Sequence, residues 1–490
     1  MDEGVFYISR GDPADKNLNS CFALSSSIHN SKSFQSFRQC CCNRNCFVFI
    51  NGFQKKDSKL IVACSQRALL HVYSFGKESP DQKFPIPEEL TCLTSTNDSS
   101  GKPWLLAGGS KSGKVYIWEL SSGYLLQVKA IHYQAVSCIN FTDNCDFLIS
   151  GGLDSRIAIY KTFDLINIIS NSISNGGSNN DEEEKSIKPY AIFTDHTLPV
   201  TDIVLTKGLT NDIKIYSISK DCTIRCYHLI TKKILTTFVA TSPVESITLD
   251  SSERSLYLGF ESGLIRQVPL YQVNKINSTL EKIGGNNKII NINDDPDLQY
   301  TFLNHKGYEV TSLALSLDGT YLISGDSKGR IFISDVITKQ VLKNLKELSS
   351  GISGIFQFTL DESENSVFAE ISLKDKQKNQ LPVLKRVLVG EKDLQKHDVY
   401  IKLNQNYFET EIEFELKNFI NTTANEELVF SNFTNIDSMT KITTSDTDDS
   451  SKVKDLEEQL QLMKKGYTEL RSIHEDLFSE YSKLLSETKK

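Results

Sequence analysis

Apolar and polar residues alternate through short runs separated by small-residue turns, and the runs come in pairs. Leu105-Leu106-Ala107 leads into a turn from Gly108 to Gly113, then Val115-Tyr116-Ile117-Trp118, then a second turn at Ser121-Ser122-Gly123. Two short strands joined by a tight connection are a hairpin signal. The pattern recurs at 63–73 (ACSQRALLHVY), 108–118 (GGSKSGKVYIW), 150–160 (SGGLDSRIAIY), 217–227 (SISKDCTIRCY), 258–268 (LGFESGLIRQV) and 324–334 (SGDSKGRIFIS). Aligned on their last residue, the hairpins are anchored at Tyr73, Trp118, Tyr160, Tyr227, Val268 and Ser334.

Three of the intervals between anchors match the period of about 40–45 residues of four-stranded propeller blades, and the other two exceed it by about 25 residues. Each long interval contains a segment rich in Asn, Ser, Gly and acidic residues, at 167–188 and 272–298. Such segments cannot bury a core and are expected to be surface loops. Removing them restores the period. Upstream of three hairpins stands a His followed by an alternating strand: His132 before AVSCINF, His196 before LPVTDIVL and His305 before KGYEVTSLALS. The six hairpins imply six blades. A seventh is expected from the strand-like runs GISGIFQFTL, SVFAEISL and VLKRVLVG within 352–390, completed by the N-terminal run GVFYIS at 4–9. Strands from both ends in one blade would close the ring and remove open edges. Residues 20–52 are then expected to open the first full blade. The predicted fold is all-β, a seven-bladed propeller over 1–390 with a C-terminal coiled-coil α-helix.

These repeats resemble the WD-repeat family in a degenerate form. Only Trp118 holds the family's Trp, and Glu119 follows it where Asp is usual. The family links a His, a turn Asp, a Ser or Thr and the Trp within a blade. The resemblance carries these blade-structural roles onto His196, Asp221 and Ser217 with Tyr227, and onto His132, Asp154 and Ser150 with Tyr160. It also carries them onto His305, Asp326 and Ser324 with no aromatic member. A His–Asp–Ser set also invites a hydrolase reading. A catalytic triad occurs once, whereas this set recurs from blade to blade, so the structural reading is preferred.

Beyond the repeats the pattern changes. Residues 391–435 scatter Phe408, Phe414, Phe419, Phe430 and Phe433 among acids, and are expected to pack in extended form on the propeller or a partner. Residues 436–452, rich in Ser, Thr and Asp, read as a flexible linker. Over 453–488 apolar positions step alternately by three and four, a heptad pattern. Val453, Leu460, Tyr467, His474 and Tyr481 take position a; Leu456, Met463, Leu470, Leu477 and Leu484 take position d. No flanking pair of a parallel homodimer would join opposite charges, and Ile473 with Phe478 widens the apolar face. The helix is therefore expected to associate with itself or with another chain.

Composition narrows the classes. A net charge of −8 over 490 residues is the wrong sign for strong non-specific nucleic-acid binding by the whole chain. The local cations Lys374, Lys376, Lys378, Lys385 and Arg386 are the candidate exception. No secretory signal or membrane-length apolar run is visible. The eleven scattered cysteines suit a reducing compartment, and Cys40-Cys41-Cys42 with Cys46 matches no zinc spacing. No phosphate loop or metal-ligand set stands out, so neither cofactor nor enzymatic activity is expected.

Four stretches together are more specific than any WD signature: 104–126 (WLLAGGSKSGKVYIWELSSGYLL), 195–202 (DHTLPVTD), 219–229 (SKDCTIRCYHL) and 467–481 (YTELRSIHEDLFSEY). With them the chain resembles the fungal WD-repeat subunits of the Rix–Ipi complex, a family related to human WD-repeat-containing protein 18. The resemblance implies a nuclear, non-enzymatic scaffold in pre-rRNA processing. It implies partners among the other Rix–Ipi subunits, pre-large-subunit ribosomal particles and a ring-shaped remodelling ATPase. It further implies removal of the second internal transcribed spacer, with replication licensing as a secondary role. A WD-repeat adaptor of trafficking or ubiquitin ligation, or a propeller that binds RNA directly, are the rival readings.

Overall fold

A computed structural model describes residues 2–11, 21–29, 33–50, 59–96, 105–166, 187–274, 278–292, 299–360, 381–389, 461, 464–469 and 471–477. The chain divides into two compact units, Met1–Asn404 and Gln405–Lys490.

The first unit contains seven antiparallel blades, each written here from the innermost strand outward. Blade 1 comprises Cys42–Ile50, Lys59–Cys64, Leu69–Ser74 and Gln82–Pro85. Blade 2 comprises Leu90–Ser95, Leu105–Ser110, Lys114–Glu119 and Leu125–Ala130. Blade 3 comprises Val136–Phe141, Phe147–Gly152, Ile157–Lys161 and Ala191–Phe193. Blade 4 comprises Val200–Leu205, Lys214–Ser219, Thr223–His228 and Lys233–Val239. Blade 5 comprises Val244–Leu249, Ser255–Phe260, Ile265–Pro269 and Thr301–Phe302. Blade 6 comprises Val310–Leu315, Tyr321–Asp326, Ile331–Asp335 and Val341–Asn344. Innermost strands of successive blades pack side by side around the ring, the last against the first.

Repeated glycines have a packing cause. Gly109, Gly151, Gly259 and Gly325 each occupy the fifth position of a blade's second strand. A Cβ at Gly109 would lie 2.7 Å from Val136 of the next blade, and one at Gly151 would lie 3.0 Å from Val200. The next innermost strand therefore lies directly on the glycine backbone, and a side chain would push the two sheets apart.

The closing blade differs from expectation. Ile352–Leu360 is innermost, and Asp2–Ser9, Phe22–Ser27 and Ser33–Arg38 supply the other three strands. The N-terminal run does join the last blade, but it brings two further N-terminal strands with it. Residues 20–52 are accordingly split, and only Cys42–Ile50 belongs to blade 1. SVFAEISL lies outside the described residues. VLKRVLVG forms no part of blade 7: its described residues, 383–389, lie against blade 2, with Leu388 in a parallel bridge to Leu125.

The second insertion differs from a plain loop where it is described. The first begins after a short helix, Thr162–Ile166, and its residues 167–186 lie outside the described set. The second holds a ribbon, Tyr271–Val273 paired with Leu280–Lys282, and a strand, Lys288–Asn291. That strand adds in parallel to the outer strand of blade 4. Residues 461, 464–469 and 471–477 of the second unit are helical.

Candidate interaction surfaces

Each loop entering blades 3, 4 and 6 carries its His back over the turn between the second and third strands of that blade. His132 Nδ1 lies 2.9 Å from Asp154 Oδ1, and Nε2 lies 2.9 Å from Ser150 Oγ. His196 Nδ1 lies 3.0 Å from Asp221, and Nε2 2.8 Å from Ser217. His305 Nδ1 lies 3.2 Å from Asp326, and Nε2 2.7 Å from Ser324. Burial pushes the His132 pKa below its ordinary value, outweighing the pull of Asp154. The neutral ring can donate from Nδ1 to Asp154 and accept the Ser150 hydroxyl at Nε2. All three Ser and all three His side chains are buried, so no substrate can reach a hydroxyl.

The aromatic members behave differently. Tyr160 and Tyr227 are buried, but neither bonds the blade's Ser; Tyr227 stacks on Phe193 at 4.2 Å. In blade 6 an aromatic partner is present after all, because Phe332 meets the His305 ring edge-on at 4.6 Å. It stands two residues before the aligned anchor Ser334 and so escapes an alignment on that position. In blade 2 the entering loop brings Glu88, not a His, to the turn between the second and third strands. Glu88 accepts from Ser112 and from Lys114 Nζ at 2.9 Å. Burial opposes the charge, but these bonds hold its pKa down at about 2. Trp118 is fully buried, and its indole N–H donates to the Lys385 carbonyl at 3.1 Å.

The loops that hold the His and Asp residues also present aromatic side chains beside cations. Tyr133, 81% exposed, lies 4.8 Å from Arg156. Tyr308 lies 4.5 Å from Arg330 and 5.1 Å from Lys328. Leu153 and Leu198, in the same set of loops, are exposed. Of the candidate RNA-binding cations, Lys374, Lys376 and Lys378 lie outside the described residues. Lys385 sits 3.7 Å over the Tyr124 ring, and Arg386 donates to the Pro85 carbonyl at 3.2 Å. Among the described residues no group of three or more His, Cys, Asp or Glu could hold a metal.

In the second unit, Tyr467, His474 and Leu477 are on described helix and exposed. Val453, Leu456, Leu460, Met463, Leu470, Tyr481 and Leu484 lie outside the described residues.

Seven blades, three of them with His–Asp-pinned turns, define a WD-repeat β-propeller protein. The family model described as WD domain, G-beta repeat matches residues 123–161 and 296–335. Pre-rRNA-processing protein IPI3 of Scheffersomyces stipitis is 41% identical over 535 residues, covering 99% of both chains. The protein of the same name from Candida albicans is 40% identical, with 99% of both chains covered, and that from Candida glabrata is 30% identical over the whole of both. The chain belongs to this family of IPI3 proteins.

Proposed function

We propose that this chain acts in pre-rRNA processing as a non-enzymatic scaffold. The observation that carries the reading is end-to-end likeness to the IPI3 relatives, which spans the ring and the tail together. Burial of every His and Ser in the three His–Asp–Ser sets supports a structural use of those residues, as the pins of blade turns. The exposed loops with Tyr133 and Tyr308 and the exposed helix supply surfaces for partners. The finer reading is a nuclear subunit of the Rix–Ipi complex. It would meet the other subunits and pre-large-subunit particles, upstream of the remodelling ATPase. It would support removal of the second internal transcribed spacer and, secondarily, replication licensing. The domain plan is a propeller over 1–390, an extended segment over 391–435, a linker over 436–452 and a self-associating helix over 453–488.

Affinity purification of a tagged full chain, read by mass spectrometry and by blotting for spacer-containing precursor RNA, tests the proposal. Co-purification of Rix–Ipi subunits and large-subunit precursors is expected, with precursor accumulation on depletion. A purification that yields trafficking or ubiquitin-ligase components, with unaltered precursor RNA after depletion, would overturn it.

A further inference from the structure

The side of the ring between blades 1 and 2 is built to hold an extended peptide. Residues 381–389, LPVLKRVLV, lie along it, although they follow blade 7 in sequence. The Gln82 side chain pairs with the Leu381 backbone both ways, donating to its carbonyl at 3.0 Å and accepting its N–H at 3.2 Å. The Lys385 N–H donates to Gly123 at 2.8 Å, and the Val389 N–H donates to Leu125 at 3.1 Å. Leu381, Leu384 and Val389 are buried, and the first two join the core cluster that contains Phe84, Trp118 and Leu125. Gly123 is specifically accommodating: its φ is +75°, and a Cβ there would lie 2.5 Å from the Val383 carbonyl. The buried Trp118 indole N–H donates to the Lys385 carbonyl, so the segment satisfies a donor of the blade core.

We propose that this groove is a peptide-docking site, and that residues 381–389 are its resident ligand in cis. The recognised pattern is Leu at the first and fourth positions, a basic residue over Tyr124 at the fifth, and Val at the ninth. Backbone bonds supply affinity, and the pockets at the first, fourth and ninth positions supply specificity. The strap itself, Leu381–Val389, is thereby fastened against blades 1 and 2. Tethering gives the cis ligand an effective concentration in the millimolar range, so the free segment competes poorly while the strap is seated.

The test uses the full chain. Leu384→Asp places a charge in the buried pocket and releases the strap. Trp118→Phe removes only the indole donor and keeps an aromatic ring. Circular dichroism and thermal melting first establish that each variant retains the propeller. Trypsin is expected to cut after Lys385 and Arg386 at least tenfold faster in L384D than in the parent, and a few-fold faster in W118F, because cleavage reads local opening. A fluorescent, end-capped peptide of residues 381–389 is expected to bind L384D at least tenfold more tightly than it binds the parent chain. Equal cleavage rates in parent and both variants would overturn the strap. Faster cleavage with no difference in peptide binding would overturn the docking site and leave the segment as ordinary packing. Parent binding that depends on protein concentration would identify a second copy as the occupant, and would also overturn the cis assignment.

Discussion

Asp326 is fully buried and still charged. Burial alone would raise its pKa, but bonds from His305 and from the backbone and guanidinium of Arg330 outweigh it and hold the carboxyl at about 2. Because the folded value lies below the unfolded one, near 3.9, the ion contributes stability that is present above about pH 4. That contribution is lost as pH falls toward 2. Asp326→Asn keeps the shape and removes the charge. It is expected to lower unfolding free energy by about 2 kcal/mol at pH 7, read from urea melts. The gap to the parent should narrow as pH drops below 4, and a gap that stays constant would show that Asp326 acts by shape alone. His71 and His132 act in the opposite sense to a His whose pKa a partner raises. Burial lowers both, His71 to about 4, so the unfolded chain binds protons first and stability declines from about pH 6.5 downward.

Among the elements, the terminal helix carries the clearest prediction. Tyr467, Ile473 and Leu477 are 47%, 57% and 60% exposed on it, and Arg471 bonds Glu475 one turn on at 3.1 Å. An isolated helix of this length is marginal in water, so an exposed apolar stripe calls for a covering chain. Light scattering of the full chain is expected to give a dimer, and Leu477→Asp a monomer, since an unpaired charge in a seam is costly. An unchanged mass in the variant would sink self-pairing, while a monomeric parent would point to a heteromeric helix. The blades themselves were legible because a period of two, set between Gly-rich turns, recurs at a fixed interval. The make-up of the closing blade was not legible. Alternation says that Phe22–Ser27 and Ser33–Arg38 are strands, but it is indifferent to which sheet receives them. For the same reason VLKRVLVG reads as a blade strand: its apolar residues suit a chain buried on one side, but against blade 2 only Leu384 and Val389 are buried. The three His–Asp–Ser sets were legible through the resemblance to the WD-repeat family, carried onto the matching positions of each blade. The Glu88 substitute, the Phe332 contact and the Trp118–Lys385 bond were not, because each depends on which loops the ring brings together.

At the scale of the whole ring, blade 1 is tied across the centre. Its innermost strand shifts register between Cys42 and Phe47, and the extra residues project inward. Asn45, at φ +54°, marks the distortion. Arg44 donates to Asp202 at 2.9 Å and approaches Glu245 at 3.9 Å; Asn45 donates to Asp202 at 3.2 Å. Asp202 and Glu245 stand on the innermost strands of blades 4 and 5, the two that face blade 1 in a ring of seven. The cysteines flanking this stretch are buried, with Cys42 Sγ 3.3 Å from Ser353 Oγ of blade 7, so the bulge is anchored behind as well as in front. Burial raises the Asp202 pKa, and Arg44 works against that rise. Arg44→Ala would leave the carboxylate nearly unpaired and raise its pKa further. A folded value above the unfolded one means that the cost is full at high pH and is relieved as pH falls through the folded pKa. The variant is therefore expected to lose about 3 kcal/mol at pH 7.5 and distinctly less at pH 5, read from urea midpoints. Adding Asp202→Asn should recover more than half of the loss at pH 7.5, because the amide needs no counter-charge. A pH-independent loss, or no recovery in the double variant, would mean that the bulge braces the ring by packing, with the ion pair contributing nothing.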